Sequence, residues 1–351
     1  MEQLSVTSLI AVRPAHQRVW MVRASGGLFT ETFSAASLMA IGHIDELKIK
    51  DGEIEGKDIL KLDIQLRQKY PDRSRMSVTS HVNQTKRFCN DVKVGDLIVT
   101  VDAASLMIGK VTGSPYIDRK PVVVTHAFRE SINMPYHLRR EVSWGPKLPR
   151  RAVPLGLEMT LQAHQTVFNL DAHWEAVYHL LYPCFRSADM LYLSANIQQK
   201  KALDNYSLTQ FFGILSGIEA ISKTLIEGTP AAIKLDYKEM LGAYVLANDM
   251  LLTSKAEFMS PGTIWAKVKM SPKEMAIAAM LYCMLFGGDM TLVKTDGIID
   301  KELRHKIFNL ATELAKTHNF PKLERDLKVD IPKLDTKPLD GKEPAFPRTM
   351  V

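Results

Sequence analysis

The sequence predicts an α+β chain, with an N-terminal β-barrel and flanking helices followed by a mainly α-helical domain. Three observations predict it. Residues 19–169 hold many short apolar runs punctuated by Gly and Pro, the pattern of a barrel or strongly curled sheet. From Ser187 onward apolar residues recur at helical spacing instead. The length of 351 residues is enough for two domains, each with its own core.

The elements follow in order. Residues 1–17 are expected to be a flexible leader, and the first domain spans 18–185. Residues 19–23 (VWMVR) read as a strand broken by Gly26-Gly27, 29–37 as a short helix or turn, and 38–42 (LMAIG) as a second strand. A helix over 58–70 carries Ile59, Leu60, Leu62, Ile64 and Leu66 and ends at Pro71. A short helix over 82–92 is anchored by Phe88. Residues 97–101 (LIVTV) and 106–112 (LMIGKVT) form a hairpin, with further strands at 121–126, 139–144 and 165–169. A closing helix covers 172–181.

In the second domain, 186–327, helices are expected over 208–226, 237–252, 272–285 and 301–316. One strand candidate, 263–269 (TIWAKVK), interrupts them. Ser271-Pro272 with Glu274 marks a helix start and Gly287-Gly288 a stop. Residues 328–351, rich in Lys, Asp and Pro, are expected to form an extended or disordered tail.

Composition narrows the function classes. Hydrophobic residues make up 46% and charged residues 24%, an ordinary globular balance. Cys89, Cys184 and Cys283 are widely spaced, so neither a zinc knuckle nor a redox pair is visible, and a reducing cytoplasm is the expected location. No secretory signal is read at the N-terminus. The apolar stretches 208–226 and 275–293 carry or adjoin Glu219, Glu274 and Asp289, carboxylates that suit core helices better than a bilayer. Residues 110–151 hold nine Lys or Arg against three acids, which equals the whole +6 net charge. Such a segment is the footprint expected of a polyanion binder, or else a solvated basic loop.

An ordered set of short motifs resembles the domain found N-terminal to Mrr-type restriction endonucleases. They are Trp20-Met21-Val22-Arg23-Ala24, Gly26-Gly27, Ala40-Ile41-Gly42, Lys86-Arg87-Phe88 and Lys93-Val94-Gly95-Asp96-Leu97-Ile98-Val99. Ile108-Gly109-Lys110-Val111-Thr112-Gly113, then His137-Leu138-Arg139-Arg140-Glu141-Val142-Ser143-Trp144 and the segment 155–167 complete it over about 160 residues. The resemblance implies a PUA/EVE-like barrel that reads nucleic acid, DNA before RNA, through a modified or flipped base. It implies a setting in bacterial restriction or anti-phage defence. Where the family usually has a tryptophan after the isoleucine-glycine pair, this chain has His43.

A flipped base needs apolar or aromatic walls, polar groups for its edge and cations for flanking phosphates. Trp20, His43 and Trp144 are candidate walls, and Arg23, Ser25, Asn83 and Asp102 candidate edge readers. Lys86, Arg87, Arg139, Arg140, Arg150 and Arg151 are candidate phosphate contacts. Each has a plain alternative: the tryptophans as core, His43 as a structural histidine, Asp102 as a turn residue.

The resemblance would also imply a magnesium-dependent nuclease in the second half. There, Lys267 stands where an acid or glutamine should precede the catalytic lysine, and Asp236, Asp249 and Glu257 are expected on helices or loops. Residues 294–303 resemble the acidic turn of TerB-like helical domains, and read equally as a helix N-cap at Asp300. No phosphate loop, His-Glu-x-x-His or Gly-x-Ser-x-Gly is present. No catalytic residue, metal or cofactor is expected. The second domain is assigned to oligomerisation or contact with a defence-system partner. The alternatives are a diverged nuclease effector and a nucleotide sensor acting on a membrane or partner.

Overall fold

The computed structural model describes residues 10–23, 25–54, 56–126, 129–226, 234–247, 249–257, 262–287, 299–333, 336–337 and 339. The chain divides into two compact units, one built around His16–Val177 and the other around Tyr178–Leu334. Their ends are exchanged: residues 10–15 belong to the second unit, and 336, 337 and 339 to the first.

The exchange begins with β1 (Ala11–Val12), which pairs in parallel with Phe185–Arg186 of the second unit. The expected flexible leader is corrected over residues 10–17, while 1–9 lie outside the described residues: Ile10 is buried in the second core, and Gln17 donates its amide to the Gly95 carbonyl at 2.7 Å.

The first unit contains β2 (Val19–Val22), α1 (Thr30–Ala35), β3 (Leu38–Ile41), β4 (Gly52–Glu53), α2 (Gly56–Lys69), α3 (Arg75–Lys86), β5 (Leu97–Val101) and β6 (Ser105–Val111). Then come β7 (Tyr116–Ile117), β8 (Val122–His126), β9 (Arg129–Met134), β10 (Leu138–Pro149), α4 (Leu155–Leu161) and β11 (Val167–Asn169). Eight of the strands form one curled, half-barrel sheet in the order β11-β2-β5-β6-β10-β7-β4, with β3 also on β10. β10 is the spine. Its first half pairs with β3 and β7, and its second half with β6 across a bulge between Trp144 and Lys147. A bulge bends the strand that carries it, and the sheet curls there. Gly27 sits at φ 99° with its Cα against the Val101 carbonyl, 2.2 Å from where a Cβ would be. Only glycine fits that approach.

α2 buries Ile59, Leu62 and Leu66, three positions on one helical face, and leaves Leu60 and Ile64 exposed. α3 starts at Arg75, seven residues before the expected start, after the N-cap Ser74, whose hydroxyl accepts the Ser77 N–H. Its exposed face is Arg, Met, Thr, Ser and Asn, so no apolar period announces its first two turns. It runs into a π-helical turn, Arg87–Asp91, that turns Phe88 and Cys89 inward.

The boundary lies within α5 (Trp174–Leu181), at Val177/Tyr178 rather than at residue 185. The second unit adds β12 (Cys184–Ser187), β13 (Met190–Ile197), α6 (Asn205–Ile226), α7 (Tyr237–Ala247), β14 (Thr253–Glu257) and β15 (Gly262–Lys269). It ends with α8 (Pro272–Phe286), α9 (Lys301–Thr317), α10 (Phe320–Leu327) and β16 (Val329–Asp330). Helices abound as expected, but they pack on a six-stranded sheet of which only β15 was foreseen. The order is β1-β12-β13-β15-β14, with β16 on β13. Leu191, Leu193, Ala195 and Ile197 alternate along β13 toward the core, and Ile264, Ala266 and Val268 do so along β15.

The capping box at Ser271–Glu274 is present, and Gly287 ends α8 in the left-handed conformation. Gly288 lies outside the described residues. The expected extended tail is corrected in part: Val329–Asp330 pairs with Asn196 and Ile197, and Ile331 and Leu339 are buried. Among the described residues no helix is long and apolar enough to cross a membrane.

Candidate nucleic-acid interface

Most of the expected site residues hold the first unit together. Trp20 is 2% exposed, and its indole N–H donates to Asp96 Oδ2 at 3.0 Å. Trp144 is buried against Phe33 and donates to the Leu38 carbonyl at 3.1 Å. Both are core residues and neither is a pocket wall. Asp102 closes the β5–β6 turn, accepting from Ala104 N, Ser105 N and Ser105 Oγ at 2.6–2.8 Å. Burial raises its carboxyl, but these hydrogen bonds outweigh burial and hold it low. Arg23 clamps the chain after α4 through the carbonyls of Leu161 and Ala163. Ser25 shares a hydrogen bond with the Tyr136 hydroxyl.

Part of the basic segment is buried inside the fold, and part is paired at the surface. Arg139 is buried, paired with Asp118 at 2.9 Å and donating to the Tyr136 and Lys120 carbonyls. Arg140, 3% exposed, donates to the carbonyls of Gly113, Phe88 and Val92. Burial lowers its guanidinium to about 10. Neither faces a phosphate, so both expected contacts are corrected. Arg150 is paired with Glu158, Lys147 with Glu31 and Arg119 with Asp51. Of the expected phosphate contacts, Lys86 and Arg87 are half-buried at the end of α3 and Arg151 is exposed after β10.

His43 is a structural histidine with an unusual environment. Its ring stacks on His81 of α3, centroids 4.5 Å apart and 9° from parallel, and its Nε2 is buried without a hydrogen-bond partner. Burial, then the neighbouring His81, pushes it from its ordinary 6.5 to about 4, and Arg73 adds to the effect. The folded chain therefore holds His43 neutral where the unfolded chain would protonate it. Stability from this site is complete above pH 6.5 and is lost as pH falls toward 4. Urea titrations at pH 7 and pH 5 should show a drop in stability that shrinks in His43→Gln; equal drops in both proteins would refute the assignment.

The open surface lies along α3. Arg75, Met76, Thr79, Ser80, Asn83, Gln84 and Arg87, with Gln165 from before β11, line a shallow groove of about 470 Å³. No carboxylate lines it. Gln84 forms its buried floor: Oε1 accepts the N–H groups of Thr166 and Val167 at 2.7 and 3.1 Å, and Nε2 donates to Ser80 Oγ at 3.0 Å. Arg87 reaches Gln165 Oε1 at 3.3 Å. On α2, Arg67 forks onto Asp63 through two N–H groups. Arg67, with Lys86 and Arg75 nearby, holds that carboxyl below the usual range. Residues 56–91 carry eight Lys or Arg against four Asp. The α2–α3 pair is thus a cationic surface, offset in part by the Arg67–Asp63 and Lys69–Glu46 pairs, while Lys120 and Arg151 of the 110–151 segment also stand exposed.

Of the expected site residues, the structure brings only Asn83 and Arg87 into this groove. Arg75, Met76, Thr79, Ser80, Gln84 and Gln165 were missed. One signal was legible: Arg75, Thr79, Asn83 and Arg87 recur every fourth residue, which puts them on one helical face once Ser74 is read as the N-cap.

In the second unit Asp236 accepts the Glu239 N–H at the start of α7, and the Asp249 carbonyl accepts Lys223 Nζ. The side chain of Glu257 lies outside the described residues. Lys267 stands 5.9 Å from the Tyr192 ring. Among the described residues no three His, Cys, Asp or Glu side chains gather into a metal-holding group. Asp300 caps α9, accepting the Leu303 N–H at 2.8 Å, while residues 294–298 lie outside the described residues. Comparison with family models, with curated proteins and with solved structures gives no match to this chain.

Proposed function

We propose that the chain is a nucleic-acid-recognition protein that docks the sugar-phosphate backbone on the α2–α3 surface of its first unit. The observation that carries this is the α3 groove, with guanidinium groups at both ends, amides and hydroxyls between them and no carboxylate in the lining. Cations at the ends suit phosphates, and neutral donors between them suit base edges. The ordered motifs that resemble the domain N-terminal to Mrr-type restriction endonucleases support the same class. With them, the curled sheet takes the part of a PUA/EVE-like barrel, the preferred polymer is DNA, and the setting is bacterial restriction or anti-phage defence. The second unit then serves oligomerisation or partner contact.

Fluorescence anisotropy of the full chain with labelled 20-base-pair DNA, at several salt concentrations, tests this. Affinity should fall steeply with salt. Arg75→Ala with Arg87→Ala should reduce the slope of log K against log salt by about 2, at roughly 0.9 per phosphate. A flat salt response in the parent chain would overturn the proposal.

A further inference from the structure

The shape of the same surface carries a narrower conclusion, which rests on the nucleic-acid proposal above. We infer that α3 is a reading helix for the major groove of duplex DNA, entering by its N-terminal half.

The first support is exposure. Residues 71–76 are all exposed, covering the α2–α3 turn and the start of α3, and Met76 is 83% exposed. Thr79, Ser80 and Asn83 continue the exposed face. The other side of α3 buries Val78, Val82, Gln84 and Thr85. The helix is thus fixed along one side and bare along the other. Its 12 residues span about 18 Å at 1.5 Å per residue. An α-helix fits the major groove of B-form DNA, about 12 Å wide, and helix-turn-helix proteins insert their second helix there. The A-form major groove of duplex RNA is too narrow to admit it.

The second support is the chemistry of the bare side. Arg67 donates to Thr79 Oγ1 at 3.3 Å and Gln84 donates to Ser80 Oγ at 3.0 Å. Each hydroxyl oxygen accepts from within the protein and still has its own O–H to donate. Asn83 stands exposed one turn further on, and an asparagine amide can pair with both N6 and N7 of adenine. Arg75 lies at the leading end, next to the cap residue Ser74.

The third support separates duplex from single strand. Binding of unpaired bases relies on exposed aromatic rings as stacking platforms. The exposed face of α3 has none, and the nearby Tyr70 ring is capped by Arg73 at 3.6 Å.

The experiment uses the full chain with three labelled probes: a 20-base-pair mixed-sequence DNA duplex, one of its single strands, and the corresponding RNA duplex. The DNA duplex should bind at least tenfold more tightly than either of the others. Selection from a randomised DNA duplex should enrich a short motif with the parent chain. Thr79→Ala with Asn83→Ala should abolish that enrichment. Equal or tighter binding of the single strand, or enrichment unchanged in the double variant, would overturn the reading-helix assignment and leave the nucleic-acid proposal standing. Salt-independent binding, or no binding to any probe, would remove both. All substituted side chains are on the exposed face, and circular dichroism should confirm that the variants fold as the parent does.

Discussion

Replacing Glu219 with alanine should destabilise the second unit by about 3–5 kcal/mol, the range for removing one partner of a buried ion pair. Glu219 is 0% exposed within α6. Its Oε1 accepts from Lys223 Nζ and Leu251 N, both at 2.8 Å, and Oε2 accepts Leu252 N at 3.0 Å. Lys223, itself buried, also donates to the Asp249 carbonyl at 3.3 Å. One carboxylate therefore neutralises a buried ammonium and satisfies two backbone N–H groups that lead into β14. Alanine would remove the acceptor of both N–H groups and leave the buried ammonium without its counter-charge. Glutamine keeps the shape and one acceptor, so its loss should be smaller. Amide hydrogen exchange along α6 measures the effect directly. Protection in Glu219→Ala equal to that of the parent would show that the pair contributes no net stability.

The second large effect belongs to Arg140. Its alanine variant should lose on the order of 3–5 kcal/mol, because the buried carbonyls of Gly113, Phe88 and Val92 would go unsatisfied at about 1–3 kcal/mol each. Lysine should not rescue it, since a single ammonium lacks the planar fork that reaches three acceptors. Urea denaturation gives the stability, and anisotropy on the folded fraction gives the binding. Folded Arg140→Ala should bind DNA as the parent does. A variant that kept parental stability but lost DNA affinity would reinstate Arg140 as a phosphate contact and break the structural assignment. Arg75→Ala should show the opposite behaviour, with stability kept and affinity reduced.

The contrast between these arginines explains what the sequence made legible. Strand runs such as Leu97–Val101 and apolar helices such as α8 announce themselves, because burial dictates their residue types. The charge density of 110–151 was equally visible, but its destination was not. Arg139 and Arg140 neighbour each other on β10, and what decides their role is the set of carbonyls that the fold brings from 19 to 52 residues away. Three of the counter-charges, Glu31, Asp51 and Glu158, lie outside the segment, so local counting left them out. The sheet of the second unit escaped notice for a related reason. Phe185, Tyr192 and Ser194 are buried against His179 of α5, so β12 and β13 lack a clean polar alternation. α3 was half-read because its leading turns are bare to solvent and carry no apolar rhythm at all.

The exchanged chain ends set a constraint on synthesis. β1 is translated before residues 16–177, and its pairing partner at Phe185–Arg186 only after them. Leu339, buried beside Gly145 in that first unit, is translated after every helix and strand of the second. Neither unit can therefore reach its final packing while the other is still unmade. Cutting the gene at residue 177 would yield two fragments that each lack a piece carried by the other, so the two halves should recover full order only when both are present.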